Sequence, residues 1–297
     1  MKKQVFALAL LAAAATATVA QADTLEKIKN SGEVTLGVRE SSGLGYTLGN
    51  GVYVGFHTEM AENIIKDLEK DLGKPLKIKY QPITSQNRIP LMTNGTIDFE
   101  CGSTTNNRAR QKEVDFAHTT YVEEVRMATK KDSGIQSVAD LNNKTIAVTT
   151  GTTSVQTLRK HRRAEGVSFK EVMGKDHADS FLLLETGRAD VFVMDGSILA
   201  ANISKSRTPD NYRIVGEVLS VEPIACMLRK DDDAFKAAIN KSIERQMKDG
   251  TLEKLWDKWF LQPTPPANTV VNLPLSESTK KAWANPNSKP MEDYQVE

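Results

Sequence analysis

Two copies of one local pattern predict an α/β chain folded as two similar lobes. Each copy is a short helix, a glycine stop and a strand headed by aspartate: Arg88 to Gly102, with Gly95 and Asp98, then Ser180 to Asp195, with Gly187 and Asp190. The strand-helix-strand order before the first copy predicts a parallel crossover. The chain also crosses twice between the two series, so the second lobe is an insertion in the first. Each lobe should be a mixed sheet flanked by helices, joined by a two-strand hinge. Each copy ends in polar groups, where strands of such lobes open onto a crevice.

The elements follow in order. Leu25 to Ser31 is a short amphipathic helix, and Glu33 to Val38 alternates as a half-buried strand. Ser41 to Gly51 carries four glycines and reads as a loop or hairpin. Met60, Ile64, Ile65, Leu68 and Leu72 recur at helical spacing from about Thr58, with Gly73 and Pro75 as the stop. Strand Leu76 to Tyr80 follows. An extended apolar segment, Tyr121 to Lys130, leads to a fresh series: a helix start at Ser137 to Leu141, then strand Ile146 to Val148. Ala225 to Lys230 is the strand leading back, before helix Asp233 to Lys248. These readings divide the chain into 23–128 for the first part of lobe 1, 129–224 for lobe 2, and 225–297 for the rest of lobe 1 with a tail. Prolines at 263, 265, 266, 274, 286 and 290 argue against long regular elements in that tail, which wraps one lobe or frays.

With 297 residues, 39% of them hydrophobic, the chain can bury a core large enough for two domains. Residues 1–22 read as a secretory signal peptide. Lys2 and Lys3 precede an apolar run from Val5 to Ala15, and Ala20-Gln21-Ala22 offers small residues for cleavage. Removing the two lysines leaves 37 of 39 basic side chains against 38 acidic ones, a balance that gives no support to nucleic-acid binding. No later stretch is long and apolar enough to cross a bilayer, so a soluble exported protein is expected. Cys101 and Cys226 form one bridge or remain two separate buried thiols; both readings fit an oxidising compartment. Two distant cysteines and four scattered histidines build no metal motif, and no cofactor is implied.

Several segments taken together resemble the periplasmic glutamate/aspartate-binding proteins of ABC import systems. They are Arg39 to Ser42, Pro82 to Pro90, Asn94 to Asn107, Thr150 to Ser154, Lys175 to Phe181 and Cys226 to Asp232. Gly250 to Phe260 is a trait of the broader polar amino-acid binding class. The resemblance implies a type II periplasmic binding protein, acting as a monomer on L-glutamate or L-aspartate and delivering it to an ABC permease at the inner membrane.

An acidic amino acid carries two carboxylates and one ammonium, so a site that takes it out of water must supply two cationic clusters and one anion. On this basis Arg110, with Ser103 and Thr105, is expected to grip the α-carboxylate through its two-pronged guanidinium. The resemblance implies Arg39, Ser85 and Arg88 from lobe 1, with His177 from lobe 2, around the distal carboxylate, at positions that match the family's motifs. Gly151 to Ser154 follows a strand and opens a helix, which makes an anion seat of Thr152 and Thr153; the same residues suit an ordinary helix cap. Asp195 is implied as the partner of the α-ammonium. The wider family places aromatic residues after the first strand, where this chain has Ser41 to Tyr46, leaving Tyr46 as the candidate wall, with Leu44 beside it. The competing reading is a periplasmic enzyme on the same scaffold, such as a cyclohexadienyl dehydratase, with Glu100 or Glu59 as the acid.

Overall fold

The computed structural model describes residues 23–294; the expected signal peptide lies outside them. Helix α1 (Thr24–Ser31) starts where the Asp23 side chain accepts from the Glu26 backbone and ends at Gly32. Strand β1 (Glu33–Arg39) leads to a hairpin, β2 (Tyr46–Gly49) and β3 (Val52–Val54), so the glycine-rich segment resolves as a hairpin. Helix α2 (Phe56–Leu72) buries Met60, Ile64, Ile65 and Leu68 and stops at Gly73. Strand β4 (Lys77–Ile83) lies parallel to β1, as the crossover requires. Helix α3 (Arg88–Thr93) and strand β5 (Phe99–Glu100) complete the first copy of the repeat. A long strand, β6 (Val114–Lys130), then carries the chain away.

The second series has the same plan. It runs through β7 (Thr145–Thr149), α4 (Thr153–Glu165), β8 (Lys170–Gly174), α5 (His177–Glu185), β9 (Val191–Asp195) and α6 (Gly196–Lys205). The Ser137 to Leu141 segment is only a 3-10 turn, held by a capping box between Ser137 and Asp140. A second long strand, β10 (Tyr212–Arg229), returns, followed by α7 (Asp233–Lys248), α8 (Thr251–Trp256) and α9 (Glu277–Ala284).

The eight-stranded sheet has the order β4-β1-β5-β10-β6-β9-β7-β8. It reads the same from both edges: three parallel strands, then a long antiparallel one. The repeated aspartates explain why. Asp98 donates its N–H to the Thr35 carbonyl at 2.8 Å, and its carboxylate accepts the Thr35 N–H at 2.8 Å. Asp190 does the same to Thr145, at 2.8 and 2.7 Å. Each aspartate therefore locks the third strand of its half to the start of the central one, and the local pattern seen in the sequence specifies a strand neighbour.

Apolar packing divides along the same line. In the first half Ile28, Phe56 and Trp256 belong to one core, and Ile83, Met92 and Phe116 to another. In the second half Val125, Leu158 and Val193 form one core, and Phe181, Phe192 and Leu199 another. Outbound, Tyr121 packs in the first half and Val125 in the second; on the return, Leu219 packs in the second and Ile224 in the first. The pairing of β6 with β10 slips register between Val215 and Ser220 and again after Ile224, flanking this handover. The segment shared by the wider family, Gly250 to Phe260, is core packing: Trp256 stacks on Phe260 and Tyr121 and takes the edge of Phe56.

The tail wraps the first half. The Asn287 carbonyl accepts from Thr119 N–H, Met291 N–H donates to Asn106, and Trp283 Nε1 donates to Thr120. Cys101 and Cys226 form a disulfide that ties the end of β5 to β10. Because the bridge closes a loop of 125 residues, it restricts the unfolded chain strongly. Replacing both cysteines with alanine should lower the unfolding free energy by about 2–4 kcal/mol in guanidinium titration; a loss under about 0.5 kcal/mol would contradict this.

Candidate functional site

The C-terminal ends of the parallel strands all meet at the seam between the two halves, and nearly every sequence-predicted residue is there. Arg39 ends β1, Ser85 follows β4 and Ser103 and Thr105 follow β5. From the other side, Thr152 and Thr153 follow β7, His177 follows β8 and Asp195 ends β9. All eight are buried, as is Arg88 at the start of α3, while Arg110 is partly exposed at the rim.

The halves touch directly. Arg39 donates from Nη2 to Asp176 Oδ1 at 2.8 Å, and from Nη1 to Ser103 Oγ at 3.2 Å. Ser41 Oγ donates to the other Asp176 oxygen at 2.7 Å. Arg110 spans the seam from the Thr105 carbonyl, at 2.8 Å, to that of Gly151, at 3.4 Å. Backbone approaches backbone at two glycines. A β-carbon on Gly43 would lie 2.5 Å from the Ser197 carbonyl oxygen, and one on Gly151 would lie 2.7 Å from Gln86 backbone atoms. The seam is therefore closed, and glycine is what lets it close.

Inside the seam, charge is incompletely balanced. Arg88 gives Nη1 to the Ser103 carbonyl and to Thr104 Oγ1, whose hydroxyl in turn donates to Glu100. Burial disfavours the Arg88 cation, and the nearby Arg110 and Arg39 add repulsion that Glu100 and Asp195 only partly offset. Asp195 faces the converse problem: burial, then Glu123 and Glu222, push its carboxyl well above the usual range against the pull of Arg88 and Arg39. Arg39 Nε, Arg88 Nε, Ser85 Oγ and Asp195 Oδ1 are all buried without a hydrogen-bond partner. Native interiors satisfy most such groups, and four of the seven orphans among the described residues belong to the predicted site residues, the others being on Arg126, Ser206 and Arg213.

Some predicted residues are used differently from the expectation. Arg39 Nη2 lies 2.9 Å from His177 Nε2, and His177 Nδ1 lies 3.1 Å from Thr149 Oγ1. A guanidinium only donates, so Nε2 accepts and the ring is neutral; burial and then Arg39 hold its pKa down at about 3. Both ring nitrogens are thus occupied within the protein, and His177 orients Arg39. The Thr152 hydroxyl turns back onto the Thr149 carbonyl, so it neither caps α4 nor faces the seam as a free donor. Tyr46 is committed elsewhere: its hydroxyl donates to Pro265, its ring meets Trp259 edge-on, and Lys205 of the second half lies 3.2 Å from its centroid. Leu44 belongs to the apolar core.

Both candidate acids of the enzyme reading fail on geometry. Glu59 pairs with Lys258 and Trp259, and both Glu100 oxygens are engaged by Thr104 and Gly102. Sequence reasoning missed Asp176, Glu123 and Glu222. Asp176 sits inside the quoted segment Lys175 to Phe181. Glu123 and Glu222 face each other across β6 and β10. An acid inside an apolar strand was the signal available for these two.

With this geometry in view, residues 34–262 match the family of bacterial extracellular solute-binding proteins, family 3. The chain belongs to that family. Among curated solute-binding relatives, it is 44% identical to a glutamate/aspartate import solute-binding protein of Escherichia coli, over 95% of this chain and 97% of that one. It is 40% identical to an L-glutamate/L-aspartate-binding protein of Pseudomonas aeruginosa, over 91% and 90%. Among solved structures, an ancestral arginine-binding protein bound to arginine is 31% identical, with a TM-score of 0.69 over 77% of this chain and 98% of that one. The fold is that of the two-lobed periplasmic binding proteins, and the family is one of solute-binding proteins.

The buried acids make a pH test of the seam. Burial pushes the Glu123 carboxyl up to about 7, with Ser197 and the Glu124 N–H pulling down and Glu222 pushing up. A carboxyl with a raised folded pKa binds its proton more tightly when folded, so its contribution is full below 4.5 and is lost as pH rises through about 7. Buried His57 and His177 titrate with the opposite sign, so the quantity to read is a difference between curves. Melting temperatures of Glu123→Gln and the parent should diverge in favour of the variant from about pH 5 to about pH 8. Parallel curves would contradict the assignment.

Proposed function

We propose that the protein captures L-glutamate or L-aspartate in the seam and, once closed, presents it to an ABC permease at the inner membrane. The observation that carries this is the charge pattern: Arg39 and Arg88 each keep an unpartnered Nε beside Arg110, while Asp195 keeps one unpartnered oxygen. A guest with two carboxylates and one ammonium neutralises both imbalances at once. The relatives named for glutamate and aspartate support the same ligand class.

In this reading Arg110, the Ser103 and Thr105 segment and the start of α4 at Thr152 and Thr153 take the α-carboxylate. Ser85 and Arg88 take the distal one with Arg39, which His177 and Asp176 hold in place. Asp195 takes the ammonium. Neutral amides leave Arg88, which forms no ion pair among the described residues, without a counter-charge, and this is the physical source of selectivity.

Binding becomes a signal through closure. The expected lobes, 23–128 with 225–297 and 129–224, are adjusted at the outbound boundary: flexing occurs where β6 and β10 change cores, between Tyr121 and Val125 outbound and between Leu219 and Ile224 on the return. The ligand stabilises the shut state because only that state joins the first-half arginines to the second-half anion seat and Asp195. We place the protein in the periplasm as a monomer, with residues 1–22 removed on export. The Cys101–Cys226 bridge suits that oxidising space, and the near-neutral charge gives nucleic acid no foothold.

Calorimetric titration should give tight binding for L-glutamate and L-aspartate and a loss of at least about 100-fold for L-glutamine and L-asparagine; comparable affinity for an amide would refute the distal cluster. Arg88→Ala should weaken glutamate far more than glutamine. Gly43→Ala should prop the seam against the Ser197 carbonyl. Its glutamate affinity should drop at least about tenfold, and its radius of gyration by X-ray scattering should stay large at saturating ligand, with its ligand-free melting temperature within about 2 °C of the parent. Normal compaction on binding would show that closure does not use this contact.

A further inference from the structure

Glu222 is a buried acid that no part of the expected ligand chemistry accounts for. It lies in β10 between the slipped registers, directly across from Glu123. One of its oxygens, Oε2, accepts from Thr105 Oγ1 at 2.5 Å and from Thr153 Oγ1 at 2.7 Å. The first threonine belongs to the first half and the second to the other. Ser220 Oγ donates to the remaining oxygen at 2.8 Å.

A hydroxyl has one hydrogen and two lone pairs, and a carboxylate has no hydrogen to give back. With both hydrogens spent on Glu222, the Thr105 and Thr153 hydroxyls, 3.3 Å apart, offer only lone pairs to anything else. The unpartnered Asp195 Oδ1 is likewise an acceptor. Such a cluster suits a group with several N–H donors and repels a carboxylate.

We propose that Glu222 is a positioning residue: it fixes one hydroxyl from each half as an acceptor for the ligand ammonium, so that closure requires an amine-bearing guest. This rests on the seam being the acidic amino-acid site. It moves the two threonine hydroxyls from carboxylate to ammonium recognition and leaves the α-carboxylate to Arg110 and backbone donors.

The test compares L-glutamate with glutarate, which carries the same two carboxylates and no amine, using the full mature chain. Glutamate is read by calorimetry and glutarate by displacement of glutamate. In Glu222→Leu no acceptor remains for the two threonine hydroxyls, so at least one of their hydrogens is freed to point into the site. Glutamate affinity should fall at least about tenfold while glutarate changes by less than about threefold, narrowing the preference. Equal loss for both ligands, unchanged glutamate affinity, or failure of glutarate to displace from the variant would each overturn the proposal. Should this variant not fold, Thr105→Val and Thr153→Val carry the test with Glu222 intact. Each should narrow the same preference, and an unchanged preference overturns the idea. A parent protein that binds no glutamate would refute the ligand assignment itself, independently of Glu222.

Discussion

Buried charge of both signs, incompletely paired in one closed seam, is the constraint on which the rest of the structure depends. Like charges in a dry site repel strongly, and an ion removed from water costs several kcal/mol unless it is paired, on the order of the whole stability of a domain. Here guanidinium groups press on one another from the first half, and carboxylates press on one another around Asp195 and the hinge. Neither set is paired off fully within the protein. A fold that carries such a cost needs a scaffold that tolerates it, and the proposed guest would cancel what the scaffold leaves unpaired.

The scaffold is the pair of long strands. Because β6 and β10 each contribute to cores on both sides of the handover, the two halves are held by two strands and by seam contacts, with little apolar packing shared between them. The polar seam contacts, Arg39 to Asp176 and Ser41 to Asp176, substitute for a hydrophobic interface and can exchange with water when the halves part. Apolar burial across the seam would have made closure permanent. Hinge strands and a polar seam are therefore parts of one solution: strong cohesion within each half and weak, switchable cohesion between them.

Much of this was legible before any coordinates. The aspartate-headed repeat forecast two alike halves, and the structure supplies the reason, since Asp98 and Asp190 each clamp the opening residue of a neighbouring strand. Ser103, Thr105 and Asp195 sat at strand ends, where local pattern and chemistry agree. The contacts not foreseen have a common cause: the partners of Tyr46 and His177 depend on what the facing half brings to them, Lys205 in one case and Arg39 in the other. Glu222 escaped notice because its meaning lies in a shared oxygen between Thr105 and Thr153, residues 48 positions apart.

By itself, then, the sequence determined the architecture and the inventory of charges, because periodicity, glycine stops and capping aspartates act over a few residues and leave a local trace. Only the tertiary structure decided which hydrogen each polar group gives and to whom, whether the two cysteines join, and where one core ends and the next begins. Those outcomes depend on through-space pairing between distant segments, where a shift of one hydrogen turns a donor into an acceptor and changes what the seam can hold.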